Sequence, residues 1–438
     1  MFLRLVSAFA FSRNKSGSAI AAFIVRLTGS GVTMVMTYLL FRIVGDQEAG
    51  LFLLGYSTIV FAAACCGCGV ELVVLRQTAA AAATESWGEA NSVFFKAFGL
   101  VSVFSSIVAA GFYVFAKPIA SIVFKKPEFA EPLRQFSPAI TALALILVIS
   151  RCLQGWRRIN ASVFILNISA GLLFCLTLLV FRPQDGTQSG FYYSMAAVIT
   201  MLLGLLFCRL IAKRGSGSIS WETIFRSAGP VWVMVMVETL SKLVGQFFAG
   251  RYCTSVEVAQ LVLSQRIAMV STVALVAATQ DAAPVIAEAW KRNDIHAIRQ
   301  ALRKATFTGV ILSAPMLMPM LFTPHLVLKI FSSKASEGAY LLQISAIGQF
   351  VTILCGASSF VLTMSSHESS MRNAVLFSGG IAVVSGWALT SQFGLTGAAV
   401  SSSLALLGMN IASSLSVKRF FGFHPLGVLL GRPDHSLG

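Results

Sequence analysis

Charge is scarce along this chain, and negative charge most of all. Charged residues make up 11% of 438 positions, with 17 Asp or Glu against 33 Lys or Arg. Soluble domains carry roughly 25% charged residues, so a water-facing globular surface is excluded. The five histidines (His296, His325, His367, His424 and His435) are dispersed in loops and ends, which argues against a metal centre. The eight cysteines are scattered singly except for Cys65, Cys66 and Cys68. That spread gives no disulfide framework. The cluster lies in an apolar run beside Gly67 and Gly69 and reads as small residues that let helices approach closely. There is no phosphate-binding glycine loop, no His-Glu-x-x-His and no carboxylate pair in a loop. The connections between apolar runs are all short, below about 25 residues, too little for a folded extramembrane domain. These absences point away from an enzyme; no catalytic residue and no cofactor are expected.

What is abundant is apolar sequence: 56% of residues are hydrophobic and mean hydropathy is +0.80. Runs of about 20 apolar residues, enough to cross a bilayer as a helix, recur along the whole chain. Breaks between them place twelve spans near 19–43, 51–75, 92–115, 136–156, 159–181, 190–212, 227–250, 259–286, 305–331, 339–364, 371–392 and 394–417. The first run lacks a small-residue cleavage pattern and reads as a retained span. The net charge of +16 comes from basic residues in short loops, not from one patch. That distribution fits a membrane protein, and no nucleic-acid partner is expected. Of the Lys and Arg residues, 21 fall on the side of the termini and nine opposite, so both termini are expected in the cytoplasm. The loop 117–134, with Lys117, Lys125, Lys126 and Arg134, runs against the rule.

The two halves resemble each other. Arg42 and Glu48 after the first span match Arg251 and Glu257 after the seventh, and Gly190 opening the sixth matches Gly397 opening the twelfth. Each block closes on a basic pair, Lys213–Arg214 and Lys418–Arg419. Two parallel repeats are a transporter plan, with the substrate path between them. The organisation expected is a six-helix lobe over 1–212, a cytoplasmic linker over 213–226, a second lobe over 227–417 and a cytoplasmic tail over 418–438. The 287–304 segment, with Asp294 as cap and Ile295, Ile298 and Leu302 on one face, predicts a short amphipathic helix on the cytoplasmic surface.

Ionisable residues inside spans are costly and usually face a cavity or a partner. Arg26 lies in the first span, with Ser30, Thr33 and Thr37 continuing its face. Lys242 is near the middle of the seventh, four residues after Glu238, and Arg266 is about two turns into the eighth. One reading is a cationic lumen for an anionic substrate. The bland readings are a self-neutralising Glu238–Lys242 pair and snorkelling of Arg26 and Arg266 to an interface. Gln280, Asp281 and Pro284 lie in the cytoplasmic part of the eighth span, where Pro284 can bend the helix and expose backbone groups to a cavity. Asp281 or Glu238 could carry a coupling proton, or Asp281 simply caps or pairs at the surface. Arg151, Arg157 and Arg158 read as topology determinants.

The opening IVRLTGSGVTMVMTYLLFRIVGDQEAGLFLLGYSTIV, Arg76 ending the second span, Pro284, and the closing FGLTGAAVSSSLALLGMNIASSLSVKRFFGFHP together resemble the multidrug/oligosaccharidyl-lipid/polysaccharide exporter superfamily. Within it, the resemblance is to the polysaccharide flippase (Wzx-type) branch. It covers essentially the full length and rests on a spacing of Arg, Gly and Pro. It implies an all-α polytopic membrane protein whose two six-helix lobes form a V around a central cavity. It also implies an inner-membrane flippase moving a polyprenyl-pyrophosphate-linked oligosaccharide outward, with membrane lipid and a polysaccharide polymerase or chain-length complex as partners. The family's cavity is cationic, and Arg26, Lys242 and Arg266 are the positions that could supply that. A cation-coupled drug antiporter of the same superfamily is the alternative; it would need cavity carboxylates, whereas deep cations outnumber anions here. The lipid II flippase branch typically has two more spans.

Overall fold

The computed structural model describes residues 18–212, 215, 217–332, 334–355, 357–365 and 367–423. It is helical throughout, with no strand among the described residues. Eleven helical stretches are long and apolar enough to cross a membrane, and the last contains two spans. That last helix, Glu368–Phe421, has 54 residues. At about 1.5 Å per residue it would make a rod of about 80 Å, far beyond a hydrocarbon core of about 30 Å. It is broken at Gly394, whose φ of 54° and ψ of −129° are not helical. A Cβ on Gly397 would collide with the Leu389 carbonyl, so the chain doubles back there. Twelve spans result, as the apolar runs predict.

The chain divides into two compact units, Met1–Thr239 and Leu240–Gly438. The first holds α1 (Ser18–Val44), α2 (Asp46–Cys66), α3 (Val70–Ala83), α4 (Trp87–Val114), α5 (Ala130–Gly155), α6 (Ile159–Phe181), α7 (Gly186–Ile211) and the start of α8 (Trp221–Tyr252). The second holds the rest of α8, then α9 (Ser255–Val270), α10 (Thr272–Lys291), α11 (Ile295–Phe322), α12 (Ala339–Cys355), α13 (Ala357–Met364), α14 (368–393) and α15 (395–421).

Burial separates central from peripheral helices. The window over α2 is 78% buried, and that over α4 only 28%. Val103, Ile107 and Val180 stand exposed on the outside of the first unit, as expected of side chains that meet lipid. The centre of that unit is α5, which packs against α2, α3, α4 and α7. Phe52, Phe136, Phe174 and Tyr193 meet there, all fully or nearly buried, with centroids of Phe52–Phe136 and Phe52–Phe174 both 5.1 Å apart. A Cβ on Gly55 would stand 2.6 Å from the Phe136 ring, and one on Gly190 3.2 Å. Gly190 therefore admits the ring, while its sequence counterpart Gly397 serves a hairpin.

Repetition reaches the turns. Glu85 and Asn293, 208 positions apart, both adopt left-handed backbone, with φ of 59° and 55°. Each sits in the turn that ends one helix just before the next, Trp87–Val114 or Ile295–Phe322, begins. The 287–304 segment is thus not one surface helix. The end of α10 turns at 292–294, and α11 starts at Ile295 and runs without interruption into the ninth span. The Asp294 cap is present: the Ala297 N–H donates to its Oδ1 at 2.9 Å, a contact worth about 1 kcal/mol. Ile298 and Leu302 are buried in a cluster with Ile286, Val361 and Phe421, whereas Ile295 is exposed.

Candidate functional site

In the first unit, Arg26 lies on α1, whose backbone puts it on the face of Ser30 and Thr33. Its side chain, and those of Gln280, Asp281 and Pro284, lie outside the described residues. Thr33 and Thr37 donate to the carbonyls of Gly29 and Thr33 at 3.0 and 2.8 Å, so these hydroxyls are satisfied within their own helix. The adjacent face of α1 packs on α6: a Cβ on Gly29 would be 3.1 Å from Asn167, and one on Gly171 2.9 Å from Val32. Glu238 is half-buried on α8.

In the second unit, Lys242 is exposed and Arg266 half-buried. Beside them runs a network not anticipated from sequence. Gln246, one turn beyond Lys242, donates through Nε2 to Gln265 Oε1 at 2.7 Å. Gln265, the neighbour of Arg266, donates through its own Nε2 to Ser402 Oγ at 3.0 Å. Ser402 donates to the Ala398 carbonyl at 3.0 Å. This chain ties α8, α9 and α15 together, and Gly245 makes room for it, since a Cβ there would strike Ser402 Oγ. Amides inside apolar spans are the signal that could have found it: neither Gln246 nor Gln265 has a reason to sit in a lipid-facing helix. α10 is helical across position 284, and Ser271 marks the join between α9 and α10. Glu238 and Lys242 lie one turn apart on the continuous helix α8, with Arg26 on α1, Arg266 on α9 and Gln280, Asp281 and Pro284 on α10.

A second cluster lies in the first unit, where the second span is interrupted. Cys68 and Gly69 take left-handed φ of 52° and 70° between α2 and α3. Gly69 is pressed on α8: a Cβ there would meet the Ala228 carbonyl and stand 2.7 Å from the Trp232 nitrogen. The close packing expected of this Gly-Cys-Gly segment is realised at that point. The Trp232 indole donates to the Cys65 carbonyl at 2.7 Å. Just past the break, Glu71 is buried at 5% exposure. Its Oε2 has no hydrogen-bond partner among the described residues, and the same holds for Arg151 Nε, Trp156 Nε1 and Asn160 Oδ1. All eight cysteines are free.

A family model described as polysaccharide biosynthesis protein matches residues 17–290, and the MatE model matches 230–388. No curated protein matches. Among solved structures, the fold is similar to an inward-facing multidrug resistance MATE family transporter of the MOP superfamily, with TM-score 0.69, 15% identity, and 96% of this chain and 98% of that one covered. It is similar to the lipid II flippase MurJ in an inward closed conformation, with TM-score 0.72, 13% identity, and 94% and 90% covered. It is also similar to a MOP superfamily transporter from Pyrococcus furiosus, with TM-score 0.65, 15% identity, and 94% and 97% covered. These likenesses establish the fold, and the first family model spans well over half the chain. This multi-pass membrane protein belongs to the polysaccharide biosynthesis protein family, within the multidrug/oligosaccharidyl-lipid/polysaccharide exporter superfamily of transporters.

Proposed function

We propose that this transporter is a flippase for a lipid-linked oligosaccharide carrying a pyrophosphate, moved from the cytoplasmic to the outer leaflet of a bacterial inner membrane by alternating access. The observation that carries the reading is Lys242. Its side chain is exposed near the middle of the candidate span Val231–Tyr252. A cation at that depth costs a few kcal/mol or more against lipid, so it faces water or an anion. Arg26 and Arg266, each in another span, extend the same sign. Pyrophosphate carries about two negative charges, and Arg offers a fixed fork of donors to replace its water. Gln246, Gln265 and Ser402 hold the helices that present Lys242 and Arg266. Flipping alters no bond, so side chains need only bind and release. The polysaccharide family match supports this substrate class.

A drug antiporter is the second reading, favoured by likeness to a multidrug transporter and by Glu238 and Asp281 in the spans. In the Pyrococcus furiosus transporter, the reverse polarity of the binding pocket suggests a different function for that protein. The sign of the charge at depth is what separates the two readings here as well. Deleting the protein in its host should leave lipid-linked oligosaccharide stranded on the cytoplasmic leaflet and stop surface polymer. Normal polymer with heightened drug sensitivity would favour the antiporter instead.

A further inference from the structure

The break between α2 and α3 holds a carboxyl that no part of the flipping account uses. Glu71 is 5% exposed, and its Oε2 is an orphan among the described residues. That oxygen folds back over the break: a Cβ on Gly67 would stand 2.9 Å from it. A buried carboxylate with one oxygen that accepts no hydrogen bond bears a desolvation cost, which protonation removes.

The groups around it decide what it can bind. α5 presents Arg151, whose charge acts on Glu71 while its Nη1 is turned to Gln154 Oε1 at 3.0 Å. The break supplies Cys68, and α2 supplies Cys65 and Cys66. α8 meets the break with Ala228 and Trp232, neither of which titrates. On α4, Lys96 donates to the Ile219 carbonyl at 2.6 Å, and Glu89 packs against Gly217. Arg76 is the charged neighbour on α3 itself. A metal ion would need several oxygen ligands, yet Glu71 is the single carboxylate here, the acting charge from α5 is positive, and no group of three His, Cys, Asp or Glu is assembled among the described residues. The ligand that fits is a proton.

We propose that Glu71 is a reversible proton-binding site built into the interrupted second membrane helix. The carboxylate oxygen takes up one proton from water and returns it; no other bond changes. Protonated, Glu71 is neutral and fits the buried junction. Deprotonated, it attracts Arg151 away from Gln154. That pull acts one turn from a close approach of α3 and α5, where a Cβ on Gly155 would collide with Thr78 Oγ1 and lie 3.1 Å from the Ala79 nitrogen. As a link between proton gradient and transport, the site rests on the flippase reading; as a proton site it does not.

The test uses the purified full-length protein in lipid nanodiscs and N,N′-dicyclohexylcarbodiimide, which adds to buried protonated carboxyls and leaves ionised ones unlabelled. Peptide mass spectrometry should find the adduct on Glu71 at low pH, declining as pH rises. It should be absent in Glu71→Gln, with an unchanged elution profile showing that this variant is folded. Arg151→Gln removes the charge that favours the carboxylate, so labelling should persist to higher pH. Labelling that is absent at every pH, or indifferent to both pH and Arg151→Gln, overturns the proposal. In vesicles carrying an inward or outward pH gradient, Glu71→Gln should lose the gradient dependence of lipid movement. Failure to move a pyrophosphate lipid at all would overturn the flippase reading and leave the labelling result standing.

Discussion

Arg26→Ala and Lys242→Ala should each lower flipping of a pyrophosphate-linked lipid by on the order of a hundredfold while the protein still accumulates. Truncating one member of a desolvated charge pair costs roughly 3 kcal/mol, and every 1.4 kcal/mol or so is a factor of ten. For Lys242→Ala the loss should appear in the rate and not in stability, because that side chain is exposed. Arg26→Lys should retain part of the activity, since the charge stays and the forked geometry is lost. Export from cells, measured with protein abundance on the same membranes, checks this. Unchanged export in both alanine variants would mean that the cations only snorkel or pair locally.

Gly69→Val should abolish accumulation of folded protein. Two penalties add. The left-handed φ of 70° costs a side chain roughly 1–2 kcal/mol. The new Cβ would also be driven into the Ala228 carbonyl and within 2.7 Å of the Trp232 nitrogen, which are backbone atoms that cannot swing aside; overpacking of this kind costs roughly 1–3 kcal/mol or more. Gly31→Ala is the contrast. It lies within α1 with nothing within 4 Å of a new Cβ, and should be neutral or gain up to about 1 kcal/mol. Fluorescence-detected gel filtration in detergent separates the two. A Gly69→Val variant that eluted at wild-type level would mean that α8 does not rest on the break.

How much of this is legible in the sequence depends on whether the signal is local. The twelve spans follow from runs of apolar residues, and even the break at Gly394 is marked by the polar Gln392 before it and the Gly-Leu-Thr-Gly that follows. The Asp294 cap is readable because a cap needs only a side chain three residues from an N–H. The helix it starts is harder to read. Ile298 and Leu302 on one face look the same whether a helix lies on a membrane or is the first turns of one that enters it, and only contact with Ile286 and Phe421 decides. Likewise, Gln246 and Gln265 are single amides in apolar text until α8, α9 and α15 bring them to Ser402. Glu71 stands near the end of the apolar run 51–75. It is buried, with the charge of Arg151 on α5, far along the chain, acting on it, which no local pattern records.

The most direct measurement of the central claim is made with the purified protein in liposomes. A fluorescent short-chain polyprenyl pyrophosphate sugar and an organic cation would be offered in parallel, with wild type, Arg26→Ala and Lys242→Ala. A cationic lumen for an anionic lipid predicts protein-dependent movement of the pyrophosphate lipid between leaflets, lost in both variants, and no movement of the cation. Movement of the organic cation alone, unaffected by either substitution, would contradict it.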